Sequence, residues 1–142
     1  MAVDGNVSVS GARELSASLR GGSTQVRQLI ELVVEKSAAD LRTLAQRNAS
    51  GRPGPNAPTG DLRGSIRVEK VDRDAPGGGY TVARSVGTDR PQANRLEWGY
   101  SGTDSIGRHF DQPPYPFMGP ATDTIEPVFY AAMAQVAERA LQ

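Results

Sequence analysis

The longest run of regular patterning begins near residue 24. Val26, Leu29, Ile30, Val33, Val34, Leu41, Leu44 and Ala45 recur at helical spacing, with Arg27, Glu31, Glu35, Arg42 and Arg47 mostly on the opposite side. The pattern predicts an amphipathic helix from about 24 to about 48, about 37 Å long at 1.5 Å per residue. Ser23 or Thr24 is placed to accept from its first-turn amides, and Gly51 and Pro53 stop it. A second stripe, Ile125, Val128, Phe129, Ala132, Met133, Val136, Ala137, Ala140 and Leu141, predicts a C-terminal helix. With Thr124 as its N-cap, Pro127 would fall in the first turn, where an amide has no intrahelical partner.

Period-two alternation marks the strands. Val3, Val7 and Val9 predict a first strand or arm. Ile66 and Val68 alternate with Arg67 and Glu69, and Tyr80, Val82 and Val86 alternate with Thr81, Ala83 and Ser85. Leu96, Trp98 and Tyr100 on one face suggest a further short strand, and Pro113-Pro114-Tyr115-Pro116 an extended segment. The expected fold is therefore α+β. A long N-terminal amphipathic helix, a small antiparallel sheet of about three to four strands and a C-terminal helix form a single domain over 1–142. The Gly, Pro and polar stretches near 50–58, 73–79 and 101–112 predict flexible loops.

Composition narrows the chemistry. There is no Cys, which removes disulfides, thiolate metal sites and thiol nucleophiles. The formal net charge is zero, with 16 basic against 16 acidic residues, so no overall field favours nucleic acid. Only Lys36 and Lys70 are lysines, an arginine preference that suits a GC-rich genome. The N-terminus lacks a secretory signal pattern, which predicts a cytoplasmic product.

Candidate catalytic groups are few. His109-Phe110-Asp111 offers a base and an orienting carboxylate, yet no nucleophile motif accompanies it, and a solvated loop histidine is the simpler reading. Gly77-Gly78-Gly79 leads into a strand pattern, which suits a hairpin loop better than a phosphate cradle. Asp72 and Asp74, flanked by Arg73 and glycines, read as a solvated turn. Arg84, Arg90, Arg95 and Arg108 are balanced by Asp89, Glu97, Asp104 and Asp111, which favours local pairing or subunit contacts over phosphate gripping. The C-terminal stripe has only Arg139 as a cation on its polar side, so it suits a core or a partner rather than a membrane surface. No cluster has ligand spacing, so no metal and no cofactor are expected.

Three ordered segments are more specific. They are Pro58-Thr59-Gly60-Asp61-Leu62-Arg63-Gly64-Ser65-Ile66; then Val86-Gly87-Thr88 with Leu96-Glu97-Trp98-Gly99; then Pro113-Pro114-Tyr115-Pro116-Phe117-Met118-Gly119-Pro120-Ala121. Thr59 is placed to cap a single turn with Leu62 pointing inward and Ile66 delivered to the sheet. Gly87 and Gly99 suit bends or close backbone approach, and Phe117 anchors the stiff proline segment.

In this order between two helices, the segments resemble the neck or tail-completion family of tailed bacteriophages, over roughly residues 5 to 140. Thr59, Gly60, Leu62, Ser65 and Ile66 match the family's first segment. Val86 and Gly87 with Glu97, Trp98 (in place of the family's Phe) and Gly99 match its second, and Pro116, Phe117, Pro120 and Ala121 its third. Gln92, where the family often has an aromatic, Tyr100, where a small residue is usual, and the long 100–112 loop depart from the pattern.

The resemblance implies a structural virion protein without enzymatic activity, expressed in the host cytoplasm and assembled at the neck or upper tail. It implies partners in the form of further copies in a ring, a hexamer by the tail's sixfold symmetry, and other neck, connector and tail-tube proteins. Phage DNA would pass through the ring without specific binding, and no membrane is involved. A tail terminator or another connector subunit of the same gene block is the nearest alternative. A small bacterial binding or adaptor module, and an enzyme using His109, are the alternatives of other classes.

Overall fold

The computed structural model describes residues 2–9, 12–20, 24–55, 60–75 and 79–140. Two helices, α1 (Thr24–Asn48) and α4 (Met118–Ala140), pack against each other and against one face of an antiparallel sheet. The sheet contains β1 (Ala2–Val9), β2 (Ala12–Arg20), β3 (Arg67–Lys70), β4 (Arg73–Ala75) and β5 (Gly79–Gly87), in the order β1-β2-β5-β3. β4 also pairs with β5, in register with β3: Lys70 faces Arg84 and Arg73 faces Thr81. Because β2 lines β5 from Tyr80 to Gly87, β3 and β4 share the other edge and act as one interrupted strand. The architecture is the expected α+β arrangement of two long helices on a small antiparallel sheet.

The core forms where the two periodicities meet. In α1 Val26, Ile30, Val34, Ala38, Leu41 and Ala45 are buried, and in α4 Ala121, Ile125, Phe129, Met133 and Val136 answer them. From the sheet come Leu15, Ala17, Val82 and Val86, which the register places on one face. Deleting a buried aromatic such as Phe129 would cost about 3–5 kcal/mol.

Several expectations are corrected. The run around Leu96 and Trp98 is not a strand but a short helix, α3 (Gln92–Trp98). Ala93, Leu96 and Glu97 turn inward at i, i+3 and i+4 while Trp98 turns out, a period that seven residues display poorly. Met118, not Thr124, begins the main helix, so Pro127 lies inside α4 rather than in its first turn.

The stretch 101–112 is not an irregular loop. β6 (Tyr100–Thr103) and β7 (His109–Gln112) pair antiparallel as a separate two-stranded sheet. The stretch 73–79 contributes β4 and the first residue of β5, with Ala75 opposite Gly79. In the 50–58 connector, Gly54 and Pro55 are buried, which gives that segment an anchor its composition did not suggest. Residues 56–59, 76–78 and Ser23 lie outside the described residues. β2 has no counterpart among the strands expected from alternation.

Candidate functional site

The first segment forms the expected single turn, but Gly60 rather than Thr59 holds the N-cap position and no side chain caps it. Gly60 takes φ 73°, a left-handed conformation that only glycine adopts cheaply, and opens α2 (Asp61–Ser65). Leu62 and Ile66 are buried. The Ser65 hydroxyl donates to the Leu62 carbonyl at 2.6 Å, so the Thr88 hydroxyl, 2.6 Å away, must donate to Ser65. Thr88 Oγ1 then accepts the Arg90 amide at 3.2 Å, and Arg90 pairs with Asp61 at 3.1 Å. Gly87 sits in β5 between Ala12 and Arg67. Thr59 lies outside the described residues.

The second and third segments are joined by one carboxylate. Glu97, at the end of α3, is 9 % exposed and accepts three backbone amides: Phe117 at 2.8 Å, Met118 at 3.0 Å and Gly119 at 2.7 Å. These are the orphan donors at the start of α4, where the helix dipole favours a negative charge. A Cβ on Gly119 would lie 3.0 Å from Glu97 Oε1 and 4.0 Å from the Arg13 guanidinium, so a side chain there would press on the clamp carboxylate.

The Tyr115 amide donates to the Leu96 carbonyl at 2.6 Å, and the Arg52 guanidinium lies 3.6 Å above the Tyr115 ring. Phe117 and Ala121 are buried, whereas Pro116 and Pro120 are exposed, Pro120 in the first turn of α4. Gly99 has φ 80°, and a Cβ there would meet the Gln112 carbonyl at 2.9 Å.

The C-terminal half of α1 ties the segments together. Arg42 donates to the Ile66 carbonyl at 3.0 Å, Gln46 to that of Arg63 at 3.3 Å and Asn48 to that of Phe117 at 3.1 Å. Residues more than fifty positions apart thus form one hydrogen-bonded frame. Its buried carboxylate, Glu97, accepts three amides of the same chain, which leaves the frame structural in character.

Trp98 is a large apolar motif residue that the frame leaves exposed. Its side chain is 69 % exposed, held out by neighbours that are fixed on both sides: Glu97 in the clamp, and Gly99, whose amide donates to Arg95 at 2.8 Å. Next to it stands the β6–β7 hairpin, which packs mainly on itself. Its turn is ordered by Asp104, which accepts the amides of Ile106 (3.1 Å) and Arg108 (2.7 Å) and the Arg108 guanidinium (2.7 Å). Burial pushes the Asp104 carboxyl up, but the Arg108 amide, the Arg108 guanidinium and the Ile106 amide together hold it below its ordinary value.

That turn displays Ile106 at 72 % and Phe110 at 46 % exposure. Arg95 stacks on Tyr100 at 4.3 Å and Arg108 lies 5.7 Å from the Phe110 ring centre. Arg95, Tyr100, Asp104, Phe110, Asp111 and Gln112 line an open groove of about 400 Å³. His109 and Asp111 lie exposed on the same strand, and no hydrogen bond joins them.

A buried ionic cluster was not foreseen. Asp72, read above as part of a solvated turn, has a side chain only 7 % exposed, and that of Arg84 is 8 % exposed. Asp72 accepts Arg84 Nη1 at 2.7 Å, the Ala83 amide at 2.8 Å and the Tyr80 hydroxyl at 3.0 Å, with Lys70 at 3.4 Å. Arg84 Nη2 reaches Glu35 on α1 at 3.1 Å, and Arg27 of α1 lies 3.9 Å over the Tyr80 ring. Burial raises the Asp72 carboxyl, but the Ala83 amide, the Tyr80 hydroxyl and the Arg84 charge outweigh it and hold it below its ordinary value. The available signal was Arg84 itself, a charge in the apolar register of Tyr80, Val82 and Val86.

Among the described residues no group of three or more His, Asp or Glu is arranged to hold a metal ion, and no helix is long and apolar enough to cross a membrane. The chain matches no family model, no curated protein and no solved structure.

Proposed function

We propose that this protein is a structural subunit of a tailed-phage virion, acting at the head–tail junction as a neck, connector or tail-completion protein. The observation that supports the reading most is the convergence of its three sequence segments. The residues that resemble the family pattern are spread over 63 positions, from Thr59 to Ala121, yet Ile66, Glu97 and Phe117, one from each segment, are joined through Arg42 and Asn48 of α1 into one hydrogen-bonded frame.

Such a frame has a mechanical use: it presents Trp98 and the β6–β7 hairpin rigidly to a neighbour. The subunit assembles as a ring, a hexamer by the symmetry of the tail, from copies made in the host cytoplasm. Its contribution is interfacial and involves no chemical step, cofactor or membrane.

Cryo-electron microscopy of virions, compared with particles made without this protein, tests the proposal. A ring of this chain at the neck or tail top is expected, together with unjoined heads and tails in its absence. Wild-type virions that lack the chain would refute it.

A further inference from the structure

A four-residue hairpin is marginal in water unless something packs against it. Here β6 and β7 are mostly exposed, pack mainly on each other, and end in a turn organised to display Ile106. Trp98, Ile106 and Phe110 together expose roughly 400 Å² of side chain, about half of the ~800 Å² that each side of a standard interface buries. Trp98 is the kind of pre-positioned aromatic anchor on which binding energy concentrates. Beside it, the Arg95 guanidinium has an aromatic ring beneath it but no carboxylate partner among the described residues.

A complementary surface lies on α4, and no ion pair among the described residues joins it to Arg95. Asp123, Glu126 and Tyr130 follow one another at i, i+3 and i+7 along α4 and therefore share one flank. Neither carboxylate has an ion-pair partner among the described residues, and Tyr130 is 40 % exposed. The arm is attached at the N-terminal end of α4, and Tyr130 lies twelve residues further along, about 18 Å down the axis. Arg95 thus offers an unpaired cation with aromatic neighbours, and the flank offers two unpaired carboxylates with an aromatic neighbour.

We infer that the arm formed by Trp98 and the β6–β7 hairpin seats on the Asp123–Glu126–Tyr130 flank of α4 in a second copy of this chain. The contact joins two different surfaces, so it is head-to-tail and either closes into a ring or propagates. The inference deepens the assembly reading above and rests on it only in taking a second copy as the occupant.

The chain has no cysteine, so introduced thiols report without background. Ile106→Cys and Tyr130→Cys proteins, purified separately with different tags, are mixed and mildly oxidised. Mixed disulfides at least about tenfold above either homotypic product are expected. In parallel, Arg95→Glu and the double substitution Asp123→Arg with Glu126→Arg should each weaken self-association about tenfold or more by sedimentation velocity. Their equimolar mixture should restore it, because the reversed charges face each other again; unchanged thermal midpoints exclude misfolding.

Homotypic cross-links, failure of the mixture to recover, or a chain monomeric at several hundred micromolar would each overturn the contact. Virion microscopy separates the two levels. A neck ring built with Arg95→Glu subunits as readily as with wild type sinks the contact and leaves the phage reading. A charge-dependent contact in solution, with no ring in virions, does the reverse.

Discussion

Replacing Glu97 by Ala removes one carboxylate and strands three amides, those of Phe117, Met118 and Gly119, at the start of α4. A hydrogen bond to a charged group contributes about 1.5–3 kcal/mol net. Three such bonds to a single carboxylate do not add fully, because Glu97 is itself desolvated at 9 % exposure and because water can reach the half-buried Gly119 amide once the side chain is gone. A loss of about 3–4 kcal/mol is the reasoned figure, a large fraction of the ~5–15 kcal/mol that holds a domain folded.

At roughly 3 °C per kcal/mol, the thermal midpoint should fall by about 10 °C. Glu97→Gln separates charge from geometry. An amide oxygen in the place of Oε2 keeps the Phe117 and Met118 bonds, but its NH2 then opposes the Gly119 amide, donor against donor. About half the loss, ~2 kcal/mol, should result. Urea unfolding followed by circular dichroism measures all three proteins. If Glu97→Ala lies within about 1 kcal/mol of wild type, or if Gln is worse than Ala, the clamp does not hold α4 as argued.

Two further substitutions probe other parts of the frame. Asp72→Asn breaks the buried pair with Arg84 and should cost about 3 kcal/mol at neutral pH. Asp72 is held below its ordinary value in the folded state, so its contribution is present above the unfolded carboxylate pKa and is lost as pH falls through the folded one. The gap between wild type and Asp72→Asn should therefore close in acid, and a gap independent of pH would count against the cluster. Gly99→Ala forces a Cβ onto φ 80° and to 2.9 Å from the Gln112 carbonyl, for a loss of about 2–3 kcal/mol; a variant as stable as wild type would show that the α3–β6 corner relaxes freely.

The sequence disclosed the elements whose periodicity is long. α1 appears at the predicted span because seven buried positions repeat over 25 residues. α3 and β6 were lost because seven and four residues cannot distinguish a helical period from alternation, and the apolar residues Leu96, Trp98 and Tyr100, spaced two apart, reinforced the wrong one. The start of α4 was misplaced for a different reason. Its N-terminal amides are capped by Glu97, twenty residues upstream, instead of by a local Ser, Thr, Asp or Asn, and a cap supplied from a distance leaves no local signature. Asp72 was misjudged because burial depends on what packs over a strand, which in this case is α1 with Glu35 and Arg27.

The division between frame and arm also orders the motif residues by role. Gly60, Leu62, Ser65, Ile66, Gly87, Glu97, Gly99, Phe117 and Ala121 serve left-handed turns, buried contacts or internal hydrogen bonds, so substitution there is felt first as lost stability. Gln92 and Tyr100, where the chain departs from the phage pattern that its segments resemble, fall instead at the start of α3 and the start of the hairpin, where Arg95 and Phe110 meet solvent. A partner-specific surface is expected to vary while the scaffold that aims it does not, because binding selects for a difference between partners whereas folding selects for one arrangement. Exchanging the 100–112 hairpin between proteins of this architecture should therefore move partner choice with the arm and leave the unfolding midpoint within about 1 kcal/mol, since the frame's hydrogen bonds involve almost none of it.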